Sequence, residues 1–426
     1  MRFTRTALAA TSIAASALLL AGCSGGSSQS SDSANGKTTL TITVWNYKQT
    51  PEFKALFDAF EKANPKITIK PVDILAQNYE DKITAMLSGG DSTDIITVKN
   101  LTDFGGYVSK KQFQPVDDVA KKLPADKIPA LADYKADGHY YATPYRQDFG
   151  VLFYNKTMFK DAGLPDPANL TWQEFAQDAK KLTHGTKGKK VYGAYIHTWN
   201  SMVQGYASAQ AGRSLNKPPY NYLSTQYKTI LGMQKAGTIM KWGVANSQQV
   251  SYQTELETGK AAMVPMGTWL IAPLLADEAS GATKIDWGIA PVPQLSAGTP
   301  ITTDGGPTGF GINKNAKDTA AAKKFLAFAA GPEGAKAVAS IGIVPAYHSD
   351  AITDEYFGLK GMPQDATSKK AFNPDVIKPD GPTGARAAAV NNVLNQEHQL
   401  IMTGNKSISA GIAEMNKRVK QEVLDQ

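Results

Sequence analysis

The strongest constraint on this chain is a change of hydrophobic period that recurs along it. The segment TLTITVWN, residues 39–46, alternates Leu40, Ile42 and Val44 with threonines, as a half-buried strand does. PEFKALFDAFEKANP follows. It places Phe53, Leu56, Phe57 and Phe60 on one helical face, between Pro51 at the start and an Asn64-Pro65 stop. KITIKPV then returns to alternation. A strand, helix and strand joined this closely must lay the helix over a sheet, so α/β layering is imposed from the outset.

The pattern recurs. NYEDKITAMLSGG sets Tyr79, Ile83, Met86 and Leu87 at helical spacing and stops at Gly89-Gly90, before the short apolar strand DIITV. VLFYN reads as a strand, Thr171 and Glu174 form a capping box opening a helix, and YGAYI, KAAMVPMG and DWGIAPVP read as strands. DTAAAKKFLAFAAG and PEGAKAVAS read as two helices parted at Gly331-Pro332, and residues 384–426 as largely helical. No internal repeat is visible. Alternation of this kind predicts α/β domains with mainly parallel sheets.

The chain has 426 residues and one cysteine, so no disulfide can form within it, and burial alone must hold what its length predicts to be two domains. Charges are spread, and the longest apolar candidate, residues 320–330, is broken by Lys323 and Lys324. The five histidines, at 139, 184, 197, 348 and 398, lack metal-ligand spacing, and no cofactor motif occurs.

At the amino end, Arg2 and Arg5 precede an uncharged Ala/Leu-rich run over residues 7–21. Leu20-Ala21-Gly22-Cys23 resembles the bacterial lipobox, in which the leader is cut before a cysteine that is then acylated. The expectation is a signal peptide over residues 1–22, lipid attachment at Cys23 and a flexible tether over residues 23–38. Loss of Arg2 and Arg5 leaves 43 basic against 38 acidic residues, a net charge near +5 that does not argue for nucleic acid.

Several aromatics stand beside glycine, proline or polar residues where strands end: Trp45, Tyr145, Trp199, Trp242 and Trp269. Ligands of open α/β sheets bind at such ends. An aromatic face there stacks on the C–H face of a sugar while polar side chains read its hydroxyls, though aromatics serve cores equally well.

From Leu40 onward the chain resembles the extracellular solute-binding proteins, family 1, the maltose-binding-protein-like receptors of ABC importers. The resemblance rests on TLTITVWN, FEKANPKITIKPV, Tyr79 with TAMLSGGDSTDI, YYATPYRQDFGVLFYNKTMFKDAGL, LTWQEF, GKAAMVPMGTWL and DGGPTGFGINKNAKDTAAAKKFLAFAAGPEGA, in the family's order. It implies a two-lobed, hinge-linked periplasmic-binding-protein fold of type II, the Venus-flytrap form. Lobe 1 would take residues 39–148 plus 302–346, and lobe 2 residues 149–301 plus 347–426. Crossings are expected near residues 147–150, 300–306 and 344–348.

Carried over position by position, the resemblance implies ligand contacts at Trp45, Asn46, Gln77, Tyr79, Asp94, Asn100, Tyr145, Asp148, Trp199, Trp242, Trp269, Gly305, Gly306, Thr308 and Arg386. Thr93 stands where the family has proline before Asp94, and Met266 where it has asparagine before Gly267 and Trp269. Arg146 opens the alternative of an acidic sugar; Asp148 two residues on favours a neutral one. The expected protein is a monomeric receptor on the extracellular face of the membrane, without a cofactor. It would capture oligosaccharides of about two to five units and pass them to ABC permease subunits. The rival is an anchored glycosidase using Asp94 and Asp148 as its carboxylates.

Overall fold

A computed structural model describes residues 37–186 and 189–426. The expected leader, Cys23 and nearly all of the tether lie outside the described residues. Alternation in the first strand does what its period predicts. β1 (Thr38–Trp45) buries Leu40, Ile42 and Val44, and pairs in parallel with β2 (Ile67–Ile74) and β3 (Ile95–Val98). The helix Pro51–Ala63 covers them, its Phe60 meeting Phe325 edge-on at 5.1 Å.

After a small hairpin, β4 (Lys135–Ala136) with β5 (His139–Tyr140), comes the long strand β6 (Ala142–Asn155). β7 (Met263–Gly267), β8 (Trp287–Pro291), β9 (Thr302–Ile312) and β10 (Val376–Pro379) complete the sheet. Its order is β2-β1-β3-β9-β6-β7, with β8 on β6 and β10 on β9. The sheet is mixed: β3 with β9, and β6 with β9, β7 and β8, are antiparallel. Alternation along the sequence predicted mainly parallel pairing, and the difference has a simple cause. β6 leaves one core for the other and β9 returns beside it, so the two must run in opposite directions.

Two large hydrophobic cores result. One gathers Leu40, Phe53, Phe60, Ile83, Phe104, Tyr145, Phe310 and Phe325. The other gathers Phe149, Phe153, Phe175, Tyr206, Ile230, Met263, Ile289 and Leu394. The first half of β6 pairs with β9, its second half with β7 and β8. A third segment touches the crossing, where Gln147 N–H donates to the Val344 carbonyl at 3.1 Å and Ala346 N–H to that of Tyr145 at 3.1 Å.

The capping box at Thr171 and Glu174 forms as read. YGAYI makes only single bridges, Tyr192 with Ala261 and Ala194 with Ile239; Gly193 lies so close to the Ala179 carbonyl of the neighbouring helix that no side chain would fit there.

Candidate functional site

Where β6 passes between the cores it places three charges together. Arg146 Nη1 donates to Glu52 Oε1 at 2.9 Å, and Arg146 Nε lies 3.1 Å from Asp148 Oδ2, close enough for attraction but off the hydrogen-bond direction. Glu52 stands in the first turn of the helix Pro51–Ala63, where the helix dipole favours an anion. Asp148 Oδ1 accepts from the Thr268 hydroxyl at 2.9 Å, which links the crossing strand to the second core's side. The guanidinium also lies over the rings of Trp45 and Tyr145, at 5.7 and 5.8 Å.

Burial pushes both carboxyls above their ordinary range, with Arg146 opposing. For Arg146, burial alone would lower the value, but Asp148 and Glu52 among its neighbours more than offset it, so the guanidinium keeps its charge. One cation thus faces two carboxyls.

The second core's side presents aromatics. Trp199 is 44% exposed, and meets His197 edge-on at 4.4 Å, Tyr252 at 6.0 Å and Trp269 at 6.2 Å. His197 and Tyr252 are 5.1 Å apart, also edge-on. Burial lowers His197 to about 4, so it is neutral at pH 7. Burial raises the Tyr252 hydroxyl; Thr268, whose hydroxyl bonds Asp148, directly precedes Trp269 in the chain, so the aromatic and charged groups adjoin.

The MGTW motif has a local reason: any side chain on Gly267 would overlap the Trp269 ring, which folds back over it. Trp242 is buried, and its indole N–H donates to the Thr198 carbonyl at 3.0 Å, so it holds the Trp199 loop in place and presents no open face.

Of the positions expected from sequence, Asp148, Trp199 and Trp269 come together around this junction; Trp45 backs Arg146 but is buried in the first core, edge-on to Phe53 at 4.8 Å. Gly306, opposite Asp148 in the ladder, faces open space. Others are engaged elsewhere. Tyr79 is core, bonded to Thr43 and to the Thr97 carbonyl, and supports Trp45 edge-on at 5.2 Å. Tyr145 stacks on Phe310 at 4.8 Å inside the first core.

Asp94 lies at the start of β3, the end away from Trp45, and accepts from Thr41 N–H at 2.9 Å, the Thr41 hydroxyl at 2.7 Å and Lys317 N–H at 2.8 Å. Asn46, at φ 43°, accepts from Ala76 N–H, while Asn100 caps the helix Leu101–Ser109 and reaches Glu80. Gln77 is exposed on a short 3-10 turn. Gly305 packs against the Phe149 backbone, and the Thr308 hydroxyl donates to the Lys99 carbonyl. Arg386 binds the carbonyls of Val423, Leu424 and Gln426.

Sequence reasoning passed over Glu52, Thr268, Tyr252 and His197, and weighed Arg146 as a reader of acidic sugars or as a partner for Asp148, beside which the fold places it. Glu52 did leave a signal: a carboxylate beside Phe53 on the apolar side of its helix. Among the described residues no group of three or more His, Cys, Asp or Glu could hold a metal ion. No helix among them is long and apolar enough to cross a membrane.

Comparison with known proteins agrees with this architecture. The chain is 28% identical over 328 residues to the multiple sugar-binding protein of Streptococcus mutans, covering 73% of this chain and 75% of that one. It is also 28% identical over 185 residues to the sn-glycerol-3-phosphate-binding periplasmic protein of Escherichia coli, covering 40% and 41%. Its fold matches a sugar transporter from Rhizobium etli in an open conformation, at TM-score 0.75 and 33% identity over 90% of this chain and 99% of that one. It also matches an ABC substrate-binding protein from Listeria monocytogenes in complex with cycloalternan, at TM-score 0.77 and 20% identity over 91% and 99%. The sequence profile of the bacterial extracellular solute-binding proteins covers residues 46–336. Two cores joined by crossing strands, with a charged and aromatic junction between them, therefore have a family: this chain is a bacterial extracellular solute-binding protein.

Proposed function

We propose that this protein is the sugar receptor of an ABC importer, binding a neutral oligosaccharide of about two to five units where its aromatic and charged groups meet. The observation that carries the reading is the exposed Trp199, adjoining Trp269 and Tyr252 beside the buried Arg146, Glu52 and Asp148. Such a pairing supplies ring faces for stacking and fixed polar groups for hydroxyls. The names of the Streptococcus and Rhizobium relatives support a sugar. An anionic ligand, such as the glycerol phosphate named for the Escherichia coli protein, is disfavoured because the single guanidinium already faces two carboxyls.

The contact set we propose is Asp148, Trp199, Trp269 and Gly306, with Arg146, Tyr252 and His197 added; Trp45, Glu52 and Thr268 are buried behind them and hold Arg146 and Asp148 in place. The ligand would sit between lobe 1, residues 39–148 plus 302–346, and lobe 2, residues 149–301 plus 347–426. The spacing of Asp94 and Asp148 speaks against the glycosidase reading that would use them as its carboxylates. Asp148 pairs with Gly306 on β9 and Asp94 bonds at Asn313, so seven residues of strand, about 23 Å, part them. Glycosidase pairs stand about 5–9.5 Å apart.

Lipid attachment at Cys23 would hold the receptor, as a monomer, on the extracellular face beside its permease. Cys23→Ser should then release the protein from the membrane fraction. A thermal-shift screen across neutral, acidic and phosphorylated saccharides, with product analysis, tests the ligand. A raised midpoint with neutral oligosaccharides and no cleavage is expected; a shift confined to acidic or phosphorylated sugars, or ligand-specific hydrolysis, would overturn the reading.

A further inference from the structure

The helix Leu101–Ser109 carries two adjacent glycines, which a helix interior disfavours relative to alanine. Tertiary structure explains one of them. A side-chain carbon on Gly105 would fall well inside contact distance of the Gly384 carbonyl group and 2.8 Å from its Cα, and backbone atoms cannot swing aside. On Gly106 the same carbon meets nothing within 4 Å.

The two partners belong to different cores. Gly105 lies between Phe104 and Tyr107 of the first. Gly384 leads into the helix Ala387–Met402, whose Val390, Val393 and Leu394 belong to the second. One turn before Gly105, the Thr102 hydroxyl donates to the Pro382 carbonyl at 3.0 Å. The loop is braced from the second core's side, because Thr383 N–H donates to Asn216 Oδ1 at 2.8 Å. Residues 381–384 are therefore tied to one lobe, and Thr102 and Gly105 to the other.

We propose that this contact is a latch: Thr102 and Gly105 receive the Pro382–Gly384 backbone, hold the lobes together, and so set ligand affinity without touching ligand. The effect on affinity rests on the solute-binding reading; the effect on lobe spacing does not. Apparent affinity scales with the fraction of molecules in the binding-competent arrangement, so a change that disfavours the contact weakens binding from outside the site.

The test compares Gly105→Ala with Gly106→Ala in the full chain. Both remove a helical glycine, and only the first meets the Gly384 backbone. Small-angle scattering of ligand-free protein should give a larger radius of gyration for Gly105→Ala and a wild-type value for Gly106→Ala. Affinity for whichever saccharide the wild type binds should fall about tenfold or more in Gly105→Ala, a few-fold in Thr102→Val, and stay unchanged in Gly106→Ala. Identical scattering from the two glycine variants, or wild-type affinity in Gly105→Ala, overturns the latch. An expanded Gly105→Ala protein whose wild type binds no saccharide supports the latch and removes the sugar reading, so the two failures are told apart.

Discussion

Replacing Arg146 by methionine keeps an apolar stem over Trp45 and removes the cation that faces Glu52 and Asp148. Those residues are only 2% and 3% exposed, so water cannot take the place of the guanidinium. Breaking a buried ion cluster from one side costs about 3–5 kcal/mol, because the remaining charges stay desolvated. The pH dependence follows from the direction of the carboxyl shifts. Both are raised, chiefly by burial, and Arg146 is the main opposing influence. A carboxyl raised in the folded state contributes stability that is complete below its unfolded value near 4 and is lost as pH rises through the folded value. Without the guanidinium both carboxyls rise further, so the variant's deficit is largest near pH 7.5 and shrinks toward pH 4.5. Urea unfolding followed by tryptophan fluorescence at both values should give a loss of about 3–5 kcal/mol at the higher pH and less than half of that at the lower. Adding Glu52→Gln to the variant should recover part of the loss. A deficit under about 1 kcal/mol near pH 7.5, or one equal at both values, refutes the claim that the cluster is a mutually compensated buried triad.

Trp269→Ala should weaken saccharide binding at least about tenfold while moving the ligand-free unfolding midpoint little, since the ring is only half-buried; calorimetry reads both, and wild-type affinity removes Trp269 from the site. Gly267→Ala should reproduce that loss, because the added carbon displaces the Trp269 ring; unchanged affinity would show that the ring's seat over Gly267 is immaterial. His398 is held at about 3 by burial, between Tyr227 and Trp242. A lowered histidine contributes stability that is full above its unfolded value near 6.5 and is lost as pH falls. His398→Gln should therefore flatten the fall in unfolding free energy between pH 6 and 5 by about 1 kcal/mol per pH unit; parallel slopes in denaturant titrations contradict it.

Much of this architecture was legible locally. Period-two alternation in β1, the Phe53, Leu56, Phe57 and Phe60 stripe and the Thr171 capping box depend on neighbours in sequence, and each forms as read. The order of the family's motifs likewise carried the two-lobed fold. Sheet direction was not legible, because β6 and β9 become neighbours across about 150 residues and their antiparallel pairing follows from crossing between cores in opposite senses.

The site divides along the same line. Residue type and place at a strand end singled out Trp199 and Trp269, which keep partly open faces, but the same signal singled out Trp45, Tyr145 and Trp242, whose rings the fold turns inward to Phe53, to Phe310 and to the Thr198 carbonyl. Asp94 and Asp148 look alike in sequence; one ties Thr41 to Lys317 at the far end of β3, the other stands beside Arg146 at the crossing. What the sequence alone determined is the set of elements and the chemical kinds available to a site, since hydrophobic period and motif order act over a few residues. Which carboxylates face Arg146, which tryptophans keep an open face and why Gly105 carries no side chain were decided only by the tertiary structure, because each depends on atoms brought together from distant parts of the chain.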